Sequence, residues 1–197
     1  ASADTFVGYA PASLLGVGNG MNRLVPILVG RRERAEADAS ESAAWSMVLV
    51  VVIASLSLGA LLATEAVSSW LAVGVVAGCA MTVYQVQQFA MRSRIQFNHA
   101  SAQQWCWAGI MALGILIVLG SDRSLGTVLR IWTVGAMAAV ATGYVLRRPV
   151  VMRPSPARTF GLMAMGFPIM LSGLLGNLFF TADRWAASVR LEPSAAG

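Results

Sequence analysis

Residues 42–64 read SAAWSMVLVVVIASLSLGALLAT, 23 consecutive positions without a charge and dominated by valine, leucine, isoleucine and alanine. A hydrocarbon core of about 30 Å needs about 20 apolar residues of helix to cross it. In lipid every backbone amide must find its partner within the segment, so a run of this length becomes a helix. Strands of a membrane barrel would be shorter and would alternate apolar with polar residues, and this run does not alternate. It predicts a membrane-spanning helix at 43–63.

Similar runs lie on both sides. Thr5 to Asn22 continues past Arg23 to Gly30; Ala66 to Met91 and Ile95 to Ser121 are uncharged; Ile131 to Leu146 is extended back toward Leu125; Thr159 to Ala182 is the last. The reading is an all-α membrane protein with six transmembrane helices. The first five are expected at about 6–29, 43–63, 68–91, 102–120 and 125–146, followed by a connector at 147–158 and a final helix with an outer loop within 159–197.

Composition agrees. Hydrophobic residues make up 57% of the chain and charged residues 12%, about half the roughly 25% that covers a soluble domain. The net charge is +5, and all fourteen basic residues are arginine. They flank apolar runs, so the basic character reads as membrane topology and not as nucleic-acid binding. One histidine, His99, and two separated cysteines, Cys79 and Cys106, make neither a metal centre nor a disulfide framework; no cofactor is expected.

Arginine placement sets the orientation. Arg31, Arg32 and Arg34, then Arg92 and Arg94, then Arg147, Arg148, Arg153 and Arg158 fall on one side; Arg123, Arg184 and Arg190 fall on the other. The positive-inside rule makes the first set cytoplasmic. The N-terminus is then outside, although no secretory signal is visible, and a preceding helix is expected. Trp45, Trp70, Trp105, Trp132 and Trp185 lie near span ends, where an indole suits the headgroup level. The charged loop 30–42 reads as a solvated helical extension with charge pairs at helical spacing. The loop 147–158, with Pro149, Pro154 and Pro156, reads as a flexible connector between two packing units.

Small residues at four-residue spacing (Gly16 and Gly20; Gly74 and Gly78; Gly135, Ala139 and Gly143) mark faces where helices approach closely. Arg23, with Asn19 and Asn22 beside it, is placed inside the first span. An intramembrane arginine costs at least about 2.5 kcal/mol at the helix centre, so it either faces a polar cavity and an anion such as phosphate, or snorkels to the headgroups. Gln85, Gln88 and Arg92 step by three and four and share a helix face; they either line a vestibule or bond neighbouring helices. Pro168 removes a backbone donor and predicts a bend. Asn177 is an intramembrane polar group that needs a partner. Asp183 and Arg184 are candidates for an outer gate or a simple helix end.

These residues carry a resemblance. Gly18-Asn-Gly-Met-Asn-Arg23-Leu-Val-Pro26 with the arginines that follow, Gln88-Phe-Ala-Met-Arg92-Ser-Arg94, and Gly166-Phe-Pro168-Ile-Met-Leu-Ser172 through Asp183-Arg184 resemble the polysaccharide-transporter (O-antigen flippase) branch of the multidrug/oligosaccharidyl-lipid/polysaccharide flippase superfamily. The resemblance spans nearly the whole chain. It implies that the chain holds helices two to seven of a longer bundle: most of one lobe, the inter-lobe connector at 147–158, and the first helix of a second lobe, with the first helix and the rest of the second lobe outside this stretch. It implies transport of a polyprenyl-linked sugar across the cytoplasmic membrane by alternating access, without enzymatic chemistry. Its partners would be membrane lipids and envelope polysaccharide assembly proteins. Arg23 would hold the lipid phosphate, while Gln85, Gln88 and Arg92 would shape the cytoplasmic mouth. A drug or cation antiporter of the same superfamily tends to need intramembrane carboxylates, and the predicted spans hold none. An envelope enzyme would need paired carboxylates or a histidine-rich site in a large loop, and the loops are short. A non-transporting assembly protein is the remaining alternative.

Overall fold

The structure is a computed structural model describing residues 10–62, 68–120, 125–150, 152–153 and 155–190. A short 3-10 turn, Ala10–Leu14, leads into α1 (Val17–Gly30). There follow α2 (Arg34–Leu62), α3 (Ser68–Ser93), α4 (Phe97–Gly120), α5 (Leu125–Leu146) and α6 (Pro156–Arg190). Among the described residues there is no strand.

Four of these helices are long and apolar enough to cross a membrane, over Arg34–Leu61, Phe97–Val118, Gly126–Leu146 and Pro156–Phe179. Their apolar side chains point outward: Leu49, Val50 and Ile53 on α2, Leu116 and Ile117 on α4, and Phe167, Leu175 and Phe179 on α6 are exposed. Only 11% of the apolar window on each of α2, α4 and α6 is buried inside the protein. A water-soluble monomer rarely exposes apolar patches beyond a few hundred Å², so lipid is the solvent that fits these faces. The chain is a multi-pass helical membrane protein.

The element limits depart from expectation in three places. The first helix, expected at 6–29, begins at Val17, because Leu15 (φ 49°) and Gly16 (φ 84°) both turn left-handed and break the spiral; residues 1–9 lie outside the described residues. At about 1.5 Å per residue its 14 residues span about 21 Å. The second helix begins at Arg34 and not at 43, absorbing the charged segment, whose alanines, arginines and glutamates favour helix. The connector is anchored where it is described: the Met152 N–H donates to Ser42 Oγ at 2.8 Å. The last helix runs unbroken through Pro168 to Arg190.

α1 joins α2, and α3 joins α4, by the same turn. Arg32 and Ile95 both take φ 62°. Glu33 N–H bonds Leu28 O and Arg32 N–H bonds Val29 O, while Gln96 N–H bonds Met91 O and Ile95 N–H bonds Arg92 O. This crossed pair of bonds satisfies the last carbonyls of a helix and reverses the chain.

α3 is central, packing on α1, α2, α4 and α5, while α6 packs on α1 and α2. One core gathers Val17, Met21 and Val25 of α1, Val48 of α2, Val86 of α3 and Leu162 of α6. The second gathers Ala77, Met81 and Tyr84 of α3 with Ala136 and Ala139 of α5. Trp107 stands in the second core, its ring 5.9 Å from Tyr84 and 5.8 Å from Trp132. Trp132 is half-buried against the Trp107 ring, and Trp45 packs on Tyr144, 6.3 Å away. Trp105 is exposed; the side chains of Trp70 and Trp185 lie outside the description.

Candidate functional site

Helices α1, α3 and α6 line a half-open cavity of about 330 Å³. Glycine makes the room: Gly16 just before α1, Gly18 on α1 and Gly173 on α6 line it. Three amides project polarity into it, Asn19 from α1, Gln85 from α3 and Asn177 from α6, and Phe89 forms part of the wall. Among the described residues no charged side chain is in the lining. Asn19 precedes Gly30 by eleven residues, which at about 1.5 Å each places it about 16 Å along α1 from the arginine-rich end. That is about half of a 30 Å hydrocarbon core.

The structure therefore brings together Asn19, Gln85 and Asn177 and leaves the other candidates apart. Arg23 sits one turn beyond Asn19 on α1, exposed and without an ion pair among the described residues. Asn22 and Arg92 are exposed as well, and so is Pro168. Gln88 turns inward, away from the cavity. Asp183 and Arg184 lie on the last turns of α6, and their side chains fall outside the described residues.

Gln88 belongs to a ladder of amides that sequence reasoning did not assemble. Its Nε2 donates to Ala100 O and to Gln103 Oε1, both at 2.9 Å. Gln103 Nε2 donates to Gln87 Oε1 at 2.5 Å and to Ala139 O at 3.0 Å, and Gln87 Nε2 donates to Val140 O at 3.1 Å. The three side chains tie α3 to α4 and α5. Gly143 is needed beside them, since a Cβ there would run into Gln87 Oε1 and Gln103 Nε2. Gln103 is fully buried. Gln103→Leu removes the central partner and leaves buried amide atoms on Gln87 and Gln88 unsatisfied, a loss of about 1–3 kcal/mol. Thermal unfolding in detergent should record it as a clear drop in melting temperature; an unchanged transition would mean the ladder contributes nothing. Gln103 carried a usable signal, a glutamine near the start of an uncharged run, matched by Gln87 and Gln88 on the preceding helix.

A second feature lies at the arginine-rich end. Glu41 of α2 has a side chain only 1% exposed and is held by Arg147 at 2.6 Å and Arg94 at 3.2 Å. Arg94 also pairs with Asp38. On another side of α2, Glu36 accepts from Arg158 at 2.5 and 3.0 Å. The expected helical extension is present and its residues 31–36 are exposed, but its charge pairs are not local: they join α2 to the α3–α4 turn, the end of α5 and the start of α6. The small-residue stripes divide as well. Gly16 and Gly20 meet α6, and Gly135, Ala139 and Gly143 meet α3 and α4, but Gly74 faces open space.

No family model matches this chain, and no curated protein or solved structure matches it either.

Proposed function

We propose that the chain transports lipid-linked oligosaccharide, a precursor of envelope polysaccharide, across the cytoplasmic membrane by alternating access. The observation that supports this reading is the amide-lined cavity at about half the depth of a bundle whose outer faces are apolar. A transporter places its substrate site near the bilayer midplane between helices. In this reading all six helices cross the bilayer, with the turn at Ala10–Leu14 continuing α1 toward the far side. They form most of one lobe, and α6 begins the next. Arg23, exposed one turn from the cavity along α1, meets the lipid phosphate, and the arginine-rich turns face the cytoplasm. The carboxylates of α2, Glu36, Asp38 and Glu41, are each paired with arginine, which counts against their serving ion coupling in an antiporter.

The test is reconstitution in vesicles with a fluorescent lipid-linked oligosaccharide, measuring the fraction that becomes accessible on the opposite leaflet. Protein-dependent movement is expected, and Arg23→Ala should slow it about tenfold, the loss of one charge-assisted contact of about 1.4 kcal/mol. Movement no faster than in empty vesicles overturns the proposal. Unchanged rates with Arg23→Ala remove the phosphate role alone.

A further inference from the structure

We infer that the cavity between α1, α3 and α6 binds an uncharged sugar and selects against anionic ones; this deepens the transport reading and rests on it for the sugar arriving attached to a lipid. The lining carries three amides and, among the described residues, no charge. Among the described residues neither Asn19 nor Gln85 makes a side-chain hydrogen bond, although both are half-buried. Polar side chains within a membrane bundle ordinarily bond across helices, as Gln87, Gln88 and Gln103 do here. Asn19 and Gln85 instead line a space of about 330 Å³, at the small end of the range of about 300–1,000 Å³ found for small-molecule sites.

The chemistry of the lining selects the ligand. An amide offers a carbonyl acceptor and an NH₂ donor side by side, and each sugar hydroxyl both donates and accepts, so the two kinds of group can pair without leaving an unmatched atom. The Phe89 ring adds an apolar wall whose electron-rich face suits the C–H face of a pyranose ring. A carboxylate or sulfate entering this half-open cavity would give up part of its hydration and meet no cation among the described lining residues, which disfavours an anion. Arg23 does not line the space. The neighbouring cavity between α1, α2 and α6, about 420 Å³, holds Arg158, but that guanidinium already faces Glu36. The geometry thus separates two tasks: the mid-depth cavity receives neutral hydroxylated rings, and a phosphate stays outside it.

The experiment measures binding of three probes to the purified chain in lipid nanodiscs. The first is a short-chain polyprenyl diphosphate carrying an uncharged disaccharide. The second is the same lipid with a hexuronic acid in place of one sugar, and the third carries no sugar. The neutral-sugar probe is expected to bind at least about tenfold tighter than the sugarless one, consistent with one or two net hydrogen bonds, and the acidic probe should show no such gain. Gln85→Leu and Asn19→Leu should each remove most of the gain and leave the sugarless probe bound as before, which also reports that the variants fold. If either variant does not fold, the ranking of the three probes on the unaltered chain decides. Equal binding of neutral and sugarless probes overturns the sugar site and leaves the lipid-transport reading standing. Tightest binding of the acidic probe overturns the selectivity. Binding of no probe overturns both.

Discussion

Gly166→Ala should destabilise the bundle by about 3 kcal/mol or more, although it adds one methyl group. The reason is the α1–α6 crossing. A Cβ on Gly166 would fall on the Gly16 carbonyl and the Gly20 backbone nitrogen, and one on Gly20 would fall on the Leu162 carbonyl. Overpacking a core costs about 1–3 kcal/mol when side chains can shift. Here the obstacle is backbone on both sides, so relief requires moving a whole helix. Gly16 adds its own constraint, because its φ of 84° is strained for any residue with a side chain. The control lies on the same helix: nothing stands within 4 Å of the Cβ position at Gly161 or Gly176. Alanine there should stabilise by up to about 1 kcal/mol through helix propensity. Thermal unfolding of the three variants in one detergent settles the matter. If Gly166→Ala melts with Gly161→Ala, α1 and α6 do not meet as described.

The second large effect is expected at Glu41. With its side chain 1% exposed between Arg94 and Arg147, themselves 16% and 14% exposed, it neutralises two guanidinium groups that have limited access to water. Removing one partner of a buried pair costs about 3–5 kcal/mol because the remaining charge is left uncompensated. Arg94 keeps Asp38 and both arginines keep some water, so Glu41→Ala should cost about 3 kcal/mol, the lower end of that range. Glu36→Ala breaks a pair that is open to solvent and should move the melting transition far less. Comparable losses for the two variants would mean that Glu41 is more hydrated than the structure places it. The pairing also ties the start of α2 to the rest of the bundle: Asp38 and Glu41 bond Arg94 and Arg147 at the α3–α4 turn and the end of α5, while Glu36, open to solvent, meets Arg158 of α6.

The sequence alone determined the class and the approximate limits of the helices. Uncharged runs of about 20 residues have one stable answer in lipid, and charges that interrupt them mark the ends. Its errors fell where a local rule met a long-range partner. Residues 34–42 looked like a surface extension because charge runs usually are, yet their partners stand up to 122 positions away, as in Glu36–Arg158. Gln85 and Gln88 looked like one stripe because they are three residues apart. Their side chains nonetheless diverge, Gln85 into the cavity and Gln88 into the ladder with Gln103. Helical spacing decides which residues leave the axis in similar directions. What waits there depends on which neighbour packs on that side, and a chain with several equally apolar helices does not encode that in any one segment. The meeting of Asn19, Gln85 and Asn177, which lie on three helices up to 158 residues apart, follows from the glycine contact that seats α6 on α1, and only the tertiary structure supplies it.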